Sequence, residues 1–243
     1  MKADFLDMIS HQLKTPITSI TTATALLRES EPADTAPVRA RLIANLERSA
    51  GALQALVSDL LDFIKLRSGR MAMETRPVAL RDVVDETVGL LSSQIEAREQ
   101  KLMVDLDELP MMVMGDGHKL TQVLVNLLSN ASAYSPPGGA IRIRVVRDND
   151  EALVSVSDSC GGIPEADQPY LFEAYRMSRS HSPESAPTGS GLGLSIARAL
   201  VNLHGGRIWF TNQAPRGCTF SFALPIRRAP VGETSERARD RQP

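Results

Sequence analysis

At 243 residues the chain is long enough for one large domain or two small ones. Its 42% apolar and 23% charged content is that of a globular protein, and no apolar run approaches the roughly 20 residues that cross a bilayer. A net charge of −2, with acidic and basic residues interspersed, leaves no basic stripe for nucleic acid.

The N-terminus lacks the apolar core of a signal peptide. Residues 1–70 read as two amphipathic helices. Phe5, Ile9, Leu13, Ile17, Ile20, Ala23 and Leu27 recur at spacings of three and four, a helical stripe. Glu31-Pro32-Ala33-Asp34 breaks it. Val38, Leu42, Leu46, Leu53, Val57, Leu60 and Ile64 then define a second helix, with Gly69 as its stop. One such hairpin buries little, whereas two of them, from two chains, make a four-helix bundle, so a homodimer is expected. At about 100° per residue, His11 falls roughly opposite the first stripe and is expected to face solvent. Pro16 lies inside the same pattern, and because the stripe runs on to Leu27 it predicts a bend rather than a stop.

Residues 71–228 change character. Short β-type runs appear at 77–80, 101–106, 141–146, 153–156, 207–210 and 219–224, and helical patterns at 81–97, 119–131 and 192–203. Some consecutive strands are adjacent in sequence, which favours an antiparallel or mixed sheet over a doubly wound parallel one. In the helical stretch 119–131, Asn126 and Asn130 stand four apart on one face among Leu124, Leu127 and Leu128. Asn is a poor helix-interior residue, so its presence twice on a packed helix needs a reason. Thr188-Gly189-Ser190-Gly191-Leu192-Gly193-Leu194-Ser195 opens the last helix, where backbone N–H groups and a positive dipole end suit phosphate. No strand immediately precedes it, so a dinucleotide-binding reading fails. Residues 229–243 are rich in Arg and Glu and read as a disordered tail. The two cysteines, Cys160 and Cys218, show no metal-ligand spacing, and a reducing, intracellular location is the simpler reading.

These motifs carry a resemblance. Ser10-His11-Gln12-Leu13-Lys14-Thr15-Pro16 resembles the phosphoacceptor box of histidine kinases. The segment 122–131, Asp158-Ser159-Cys160-Gly161-Gly162-Ile163, Leu171-Phe172-Glu173-Ala174-Tyr175-Arg176, the glycine run 189–193 and Gly217-Cys218-Thr219-Phe220 resemble, in order, the nucleotide motifs of the superfamily that joins gyrase, Hsp90-type chaperones and histidine kinases. The chain is thus similar to the cytoplasmic core of a sensor histidine kinase. The implied fold class is α plus α/β: a helical hairpin (1–70) forming a dimeric four-helix bundle, then a two-layer α/β sandwich with a mixed sheet (71–228), the Bergerat-type ATP-binding fold.

The resemblance also implies roles. His11 takes the phosphoryl group from ATP and yields it to an aspartate of a response-regulator receiver domain, and Thr15 serves dephosphorylation of that partner. Asn130, assisted by Asn126, holds Mg²⁺. Tyr134 flanks the adenine, Asp158 accepts from its amino group, and Gly162 and Ile163 complete that wall with Thr219 nearby. Gly189, Gly191, Leu192, Gly193 and Leu194 cradle phosphate, and Arg176 or Arg179 meets the γ-phosphate beneath a Ser- and Pro-rich lid reaching to Pro187. A cytoplasmic location follows, with any upstream sensor domain outside these residues. Three positions depart from the pattern: Gln12 for an acid, Ala133 for a lysine and Cys160 for a glycine. They support a second reading, a nucleotide-binding signalling scaffold with little kinase activity. A chaperone or topoisomerase fragment has no use for the helical hairpin and its histidine box.

Overall fold

The computed structural model describes residues 2–29, 36–107, 111–174, 191–213 and 216–226, and the side chains of residues 2–8, 11, 29 and 36 lie outside that description. Two long helices come first. α1 (Lys2–Glu29) and α2 (Ala36–Arg67) pack as a hairpin, with the Ser49 hydroxyl donating to Ser19 Oγ at 3.0 Å between them. α1 continues through Pro16, as the unbroken apolar stripe requires. The break placed at Glu31–Asp34 falls outside the described residues. Within one chain the hairpin closes little core. Ile9, Ala23 and Leu56 are buried, but Ile17, Val38, Val57, Leu61 and Ile64 keep 42–52% of their surface.

The rest is a two-layer sandwich. In chain order it runs β1 (Arg76–Ala79), α3 (Leu80–Ala97), β2 (Lys101–Leu106), β3 (Met112–Gly115), α4 (Gly117–Tyr134), β4 (Ala140–Asp148), β5 (Glu151–Ser157), a 3-10 turn (Gln168–Tyr170), α5 (Gly193–Leu203), β6 (Arg207–Asn212) and β7 (Cys218–Pro225). Five strands form one sheet in the order β2-β4-β5-β7-β6, parallel only between β2 and β4, so the sheet is mixed. β1 and β3 make a separate antiparallel pair. β3 has no counterpart among the sequence-based expectations. Its four residues are too few to show a period, and two are methionines, which fit helix or strand.

Alternation sets the layers. Ile141, Ile143 and Val145 of β4, Ala152, Val154 and Val156 of β5, and Phe220, Phe222 and Leu224 of β7 point to one buried face. Register aligns them across the sheet, with Val154 opposite both Val145 and Phe222. On that face lie α4 and α5, each with a fully buried stripe: Leu120, Val123, Leu124, Leu127 and Leu128 on α4, Ile196, Leu200 and Val201 on α5. The opposite face carries Arg142 and Arg144 into solvent, as an antiparallel-rich sheet allows. The end of α2 joins this unit. Phe63 and Leu66 pack against its core, and buried Asp62 accepts from Gln122 Nε2 at 2.7 Å with Lys119 Nζ 3.9 Å away. Among the described residues no helix is long and apolar enough to cross a membrane.

Candidate functional site

α4 supplies the first wall. Asp116 caps its start, accepting from Lys119 N–H at 3.3 Å, which satisfies one orphan donor of the first turn. The helix then turns its leucines inward, so Asn126, Asn130 and Tyr134, spaced four apart, line up half-buried along one edge. Burial pushes the Tyr134 phenol above its ordinary value.

The N-terminus of α5 docks at one end of that edge. Asn126 Nδ2 donates to the Gly193 carbonyl oxygen at 3.1 Å, and a Cβ at Gly193 would meet the same amide at ordinary contact distance. The amide nitrogen is thereby used within the protein, and the oxygen is what Asn126 has left to offer an ion. Gly191 takes a left-handed φ of +64°, Leu192 beside it is fully buried, and Gly193 and Leu194 stay partly open. Gly189, Arg176, Arg179 and the Ser- and Pro-rich stretch to Pro187 lie outside the described residues.

Asp158 closes the other end. It follows β5 and is buried, yet three donors meet its carboxylate: Cys160 N–H at 2.9 Å and Cys218 N–H at 3.3 Å on Oδ1, and the Cys218 thiol at 3.0 Å on Oδ2. The turn is pinned to α4, because Ser159 N–H donates to Ser135 Oγ at 3.2 Å just past Tyr134. Nine residues of helix separate Asn126 from Ser135, about 13 Å at the α-helical rise. The α5 N-terminus and the Asp158 carboxylate are thus held a helix-edge apart, with Asn130 and Tyr134 between them.

Three residues that sequence reasoning passed over, Asn212, Gln168 and Gln213, brace the flank beside Ile163 and Thr219. Asn212, at the end of β6, holds Ile163 from both sides, accepting from its N–H and donating to its carbonyl at 2.9 Å each. Gln168 Nε2 adds a third bond to the Ile163 carbonyl at 3.0 Å. Gly162 sits at φ +86° facing Asn212. The Thr219 hydroxyl shares a hydrogen bond with Ser157 Oγ at 2.9 Å and receives Gln213 Nε2 at 2.6 Å. Asn212 and Gln213 follow no periodic pattern and come from a strand end, so only the β6–β7 pairing brings them here.

The fold brings the two cysteines, both free thiols, together. Cys160 and Cys218 show no ligand spacing along the chain, yet the β5–β7 register puts both sulfurs and an Asp158 oxygen within 4.8 Å of one another. The Cys218 thiol, hydrogen-bonded with Cys160, buried and facing the Asp158 carboxylate, holds its proton above the ordinary thiol range. Cys160, bonded by that thiol and by Gly162 N–H at 3.2 Å, is pushed down.

The phosphoacceptor-like box occupies α1. Ser10, Lys14 and Thr15, one before and three and four after His11, are exposed, whereas Gln12 and Leu13 are half-buried. The His11 side chain, expected to face solvent, lies outside the described residues.

Two family models match this chain. Residues 1–69 match the family described as the His Kinase A (phospho-acceptor) domain, and residues 115–228 match the family of histidine kinase-, DNA gyrase B- and HSP90-like ATPases. Over 236 residues, 93% of this chain and 25% of the relative, it is 34% identical to the signal transduction histidine-protein kinase BarA of Escherichia coli K12. The solved mycobacterial sensor histidine kinase MprB is 29% identical, with a TM-score of 0.56 over 63% of this chain and 100% of that one. The histidine kinase ThkA, solved in complex with the response regulator protein TrrA, shares the fold at 24% identity, with a TM-score of 0.66 over 90% of this chain and 60% of that one. The chain spans about a third or less of the length of the curated relatives it matches.

Proposed function

This chain belongs to the sensor histidine kinases, whose phosphoacceptor and ATPase-like modules it joins in one polypeptide, and on that footing we propose that it phosphorylates its own His11 from ATP. The single observation that carries the reading is the edge of α4. It runs from the N-terminus of α5 to a buried, hydrogen-bonded carboxylate, a span of about 13 Å along the helix.

The base goes to the Asp158 end. Its amino group donates to the carboxylate, Gly162, Ile163 and Thr219 flank the ring, and Tyr134 covers it. The triphosphate lies toward α5, where Gly191, Leu192, Gly193 and Leu194 offer backbone N–H groups and the positive end of the helix dipole, and where the sequence motif adds Gly189 to the phosphate cradle. Arg176 is our candidate for the γ-phosphate. Mg²⁺ fits this edge, because neutral amide oxygens from Asn130, with Asn126 assisting, suit a hard cation that prefers oxygen. When bound it would neutralise phosphate charge.

The chemistry asks little of covalent catalysis. An unprotonated ring nitrogen of His11 attacks the γ-phosphorus, the N–P bond forms, the bond to the β-phosphate oxygen breaks, and ADP leaves. Positioning and charge neutralisation supply most of the acceleration. The imidazole proton must then leave. Gln12 donates and accepts hydrogen bonds but takes up no proton, so solvent receives it. Thr15, exposed one turn on, would orient water for hydrolysis of the phosphorylated partner.

From His11 the phosphoryl group passes to an aspartate of a response-regulator receiver domain, a partner supported by the ThkA–TrrA complex. Pairing of two hairpins into a four-helix bundle buries the exposed apolar edge of α1 and α2. We place the chain on the cytoplasmic side of a longer sensor protein, where ATP is available.

The test is incubation of the 243-residue protein with γ-labelled ATP and Mg²⁺. The proposal expects acid-labile, alkali-stable label that disappears in His11→Gln and in Asp158→Asn. Nucleotide binding without label in the unaltered chain sinks it and leaves the signalling scaffold.

A further inference from the structure

We propose that Cys160, Cys218 and Asp158 form a binding site for a soft divalent cation of the zinc class, and that its occupancy excludes ATP. The exclusion rests on the reading of Asp158 as the adenine acceptor, whereas the ion site itself does not.

The geometry comes first. Two sulfurs and one carboxylate oxygen lie mutually within 4.8 Å, and Cys218 Sγ is 3.0 Å from Asp158 Oδ2. Ligands around a tetrahedral zinc ion, with bonds of about 2.3 Å to sulfur and about 2.0–2.2 Å to oxygen, stand roughly 3.4–3.8 Å apart. The three atoms therefore reach an ion without a change of strand register. They are also rigidly mounted. Asp158 N–H donates to the Cys218 carbonyl at 3.0 Å, and Cys160 N–H ties back to Asp158 Oδ1 at 2.9 Å.

Charge is conserved. Without the ion the pocket holds two thiols and a carboxylate, a net charge of one negative unit. Binding releases both thiol protons to solvent and admits a dication, and the net charge is again one negative unit. Such a substitution avoids the penalty that a bare buried ion incurs. The Gly162 N–H already points at Cys160 Sγ at 3.2 Å, a donor suited to a thiolate.

Ligand type sets selectivity. Two thiolates favour zinc over magnesium, so the ion that accompanies ATP does not compete here. Three protein ligands leave a fourth position, as in open zinc sites. The carboxylate that would hold the ion is the one that would take the adenine amino group, so base and ion compete for it. The site would let a zinc-class ion switch off nucleotide loading without touching His11.

Cobalt(II) reports on the site by spectroscopy. Titrated into the reduced 243-residue protein without nucleotide, it should give sulfur-to-cobalt charge-transfer absorption that saturates at one ion per chain and is bleached by Zn²⁺. Cys160→Ser and Cys218→Ser, checked for folding by circular dichroism, should each weaken binding at least about tenfold. No charge-transfer band in the unaltered protein, or the same band in both variants, overturns the site. In a second arm, a fluorescent ATP analogue is bound in excess Mg²⁺. Zn²⁺ at about ten times its dissociation constant for the unaltered chain should weaken that binding about tenfold there and by no more than about twofold in Cys160→Ser. A cobalt band with undiminished nucleotide affinity keeps the ion site and overturns the exclusion. A cobalt band in a protein that binds no nucleotide at all overturns the reading of Asp158 and keeps the ion site.

Discussion

Asp158 shows how a single carboxylate is prepared. Two backbone N–H groups and a thiol meet it in a buried place, so its oxygens are hydrogen-bonded rather than left without partners. Its motif was legible because Asp, Gly162 and Ile163 stand close in sequence. Its neighbour Cys218 was not, since the two are 60 positions apart and meet only through strand pairing. The adjoining Gly217 has φ +113°, and a Cβ there would overlap the Asp158 carbonyl oxygen. Gly217→Ala is therefore expected to cost at least about 1–2 kcal/mol from the left-handed backbone alone, read as a lower midpoint in chemical denaturation. An unchanged midpoint would mean that the turn relaxes. Gln12 makes the complementary case. It replaces a proton acceptor with an amide, and a positioned base is worth about 10²–10⁴-fold. Gln12→Glu should raise the initial rate of phosphohistidine formation about tenfold or more. Equal or slower labelling would show that the proton leaves by another route.

At the scale of elements, α4 and α5 could be read in advance because their apolar stripes are long and their polar residues conspicuous. Asn126 also turned out to join the two helices, through the Gly193 carbonyl, a contact that no pattern within either helix announces. β3 and its partner β1 escaped notice or precise placement because four residues carry too little periodicity. What holds β3 to the end of α5 is His204. Its Nε2 accepts from the buried Asp116 N–H at 3.0 Å while Nδ1 donates to the Leu200 carbonyl at 2.7 Å, which puts the ring proton on Nδ1. His204 also stands where Gly115 leaves room, since a Cβ at that glycine would strike the ring. His204→Leu strands the Asp116 N–H and should cost about 1–3 kcal/mol. Urea unfolding of the variant checks this, and stability equal to the parent's would show that another acceptor reaches Asp116.

For the whole molecule, hairpin and sandwich differ in how complete they are. The sandwich closes its own core, with Leu120, Leu124, Leu127 and Phe222 at or near zero exposure. The hairpin does not, and Val57, Leu61 and Ile64 remain 42–52% exposed on one chain. That imbalance was legible from the stripes alone, because two helices cannot enclose two apolar faces. Leu61→Lys with Ile64→Lys should shift the protein from dimer to monomer in sedimentation equilibrium while the sandwich retains nucleotide binding. A parent that sediments as a monomer would remove the bundle from the account. The two units meet where Asp62 of α2 bonds Gln122 and faces Lys119 on α4, so the helix that continues the hairpin also touches the helix that carries Asn126 and Asn130.

The central claim is that a triphosphate held along α4 delivers its γ-phosphoryl group to the imidazole of α1. Peptide mapping by mass spectrometry, run under alkaline conditions after reaction with Mg²⁺–ATP, tests it most directly. The account predicts one phosphorylated position, His11, in the unaltered chain and none in Asp158→Asn. Phosphate on another residue, or His11 modified to the same extent when Asp158 has lost its charge, would contradict it.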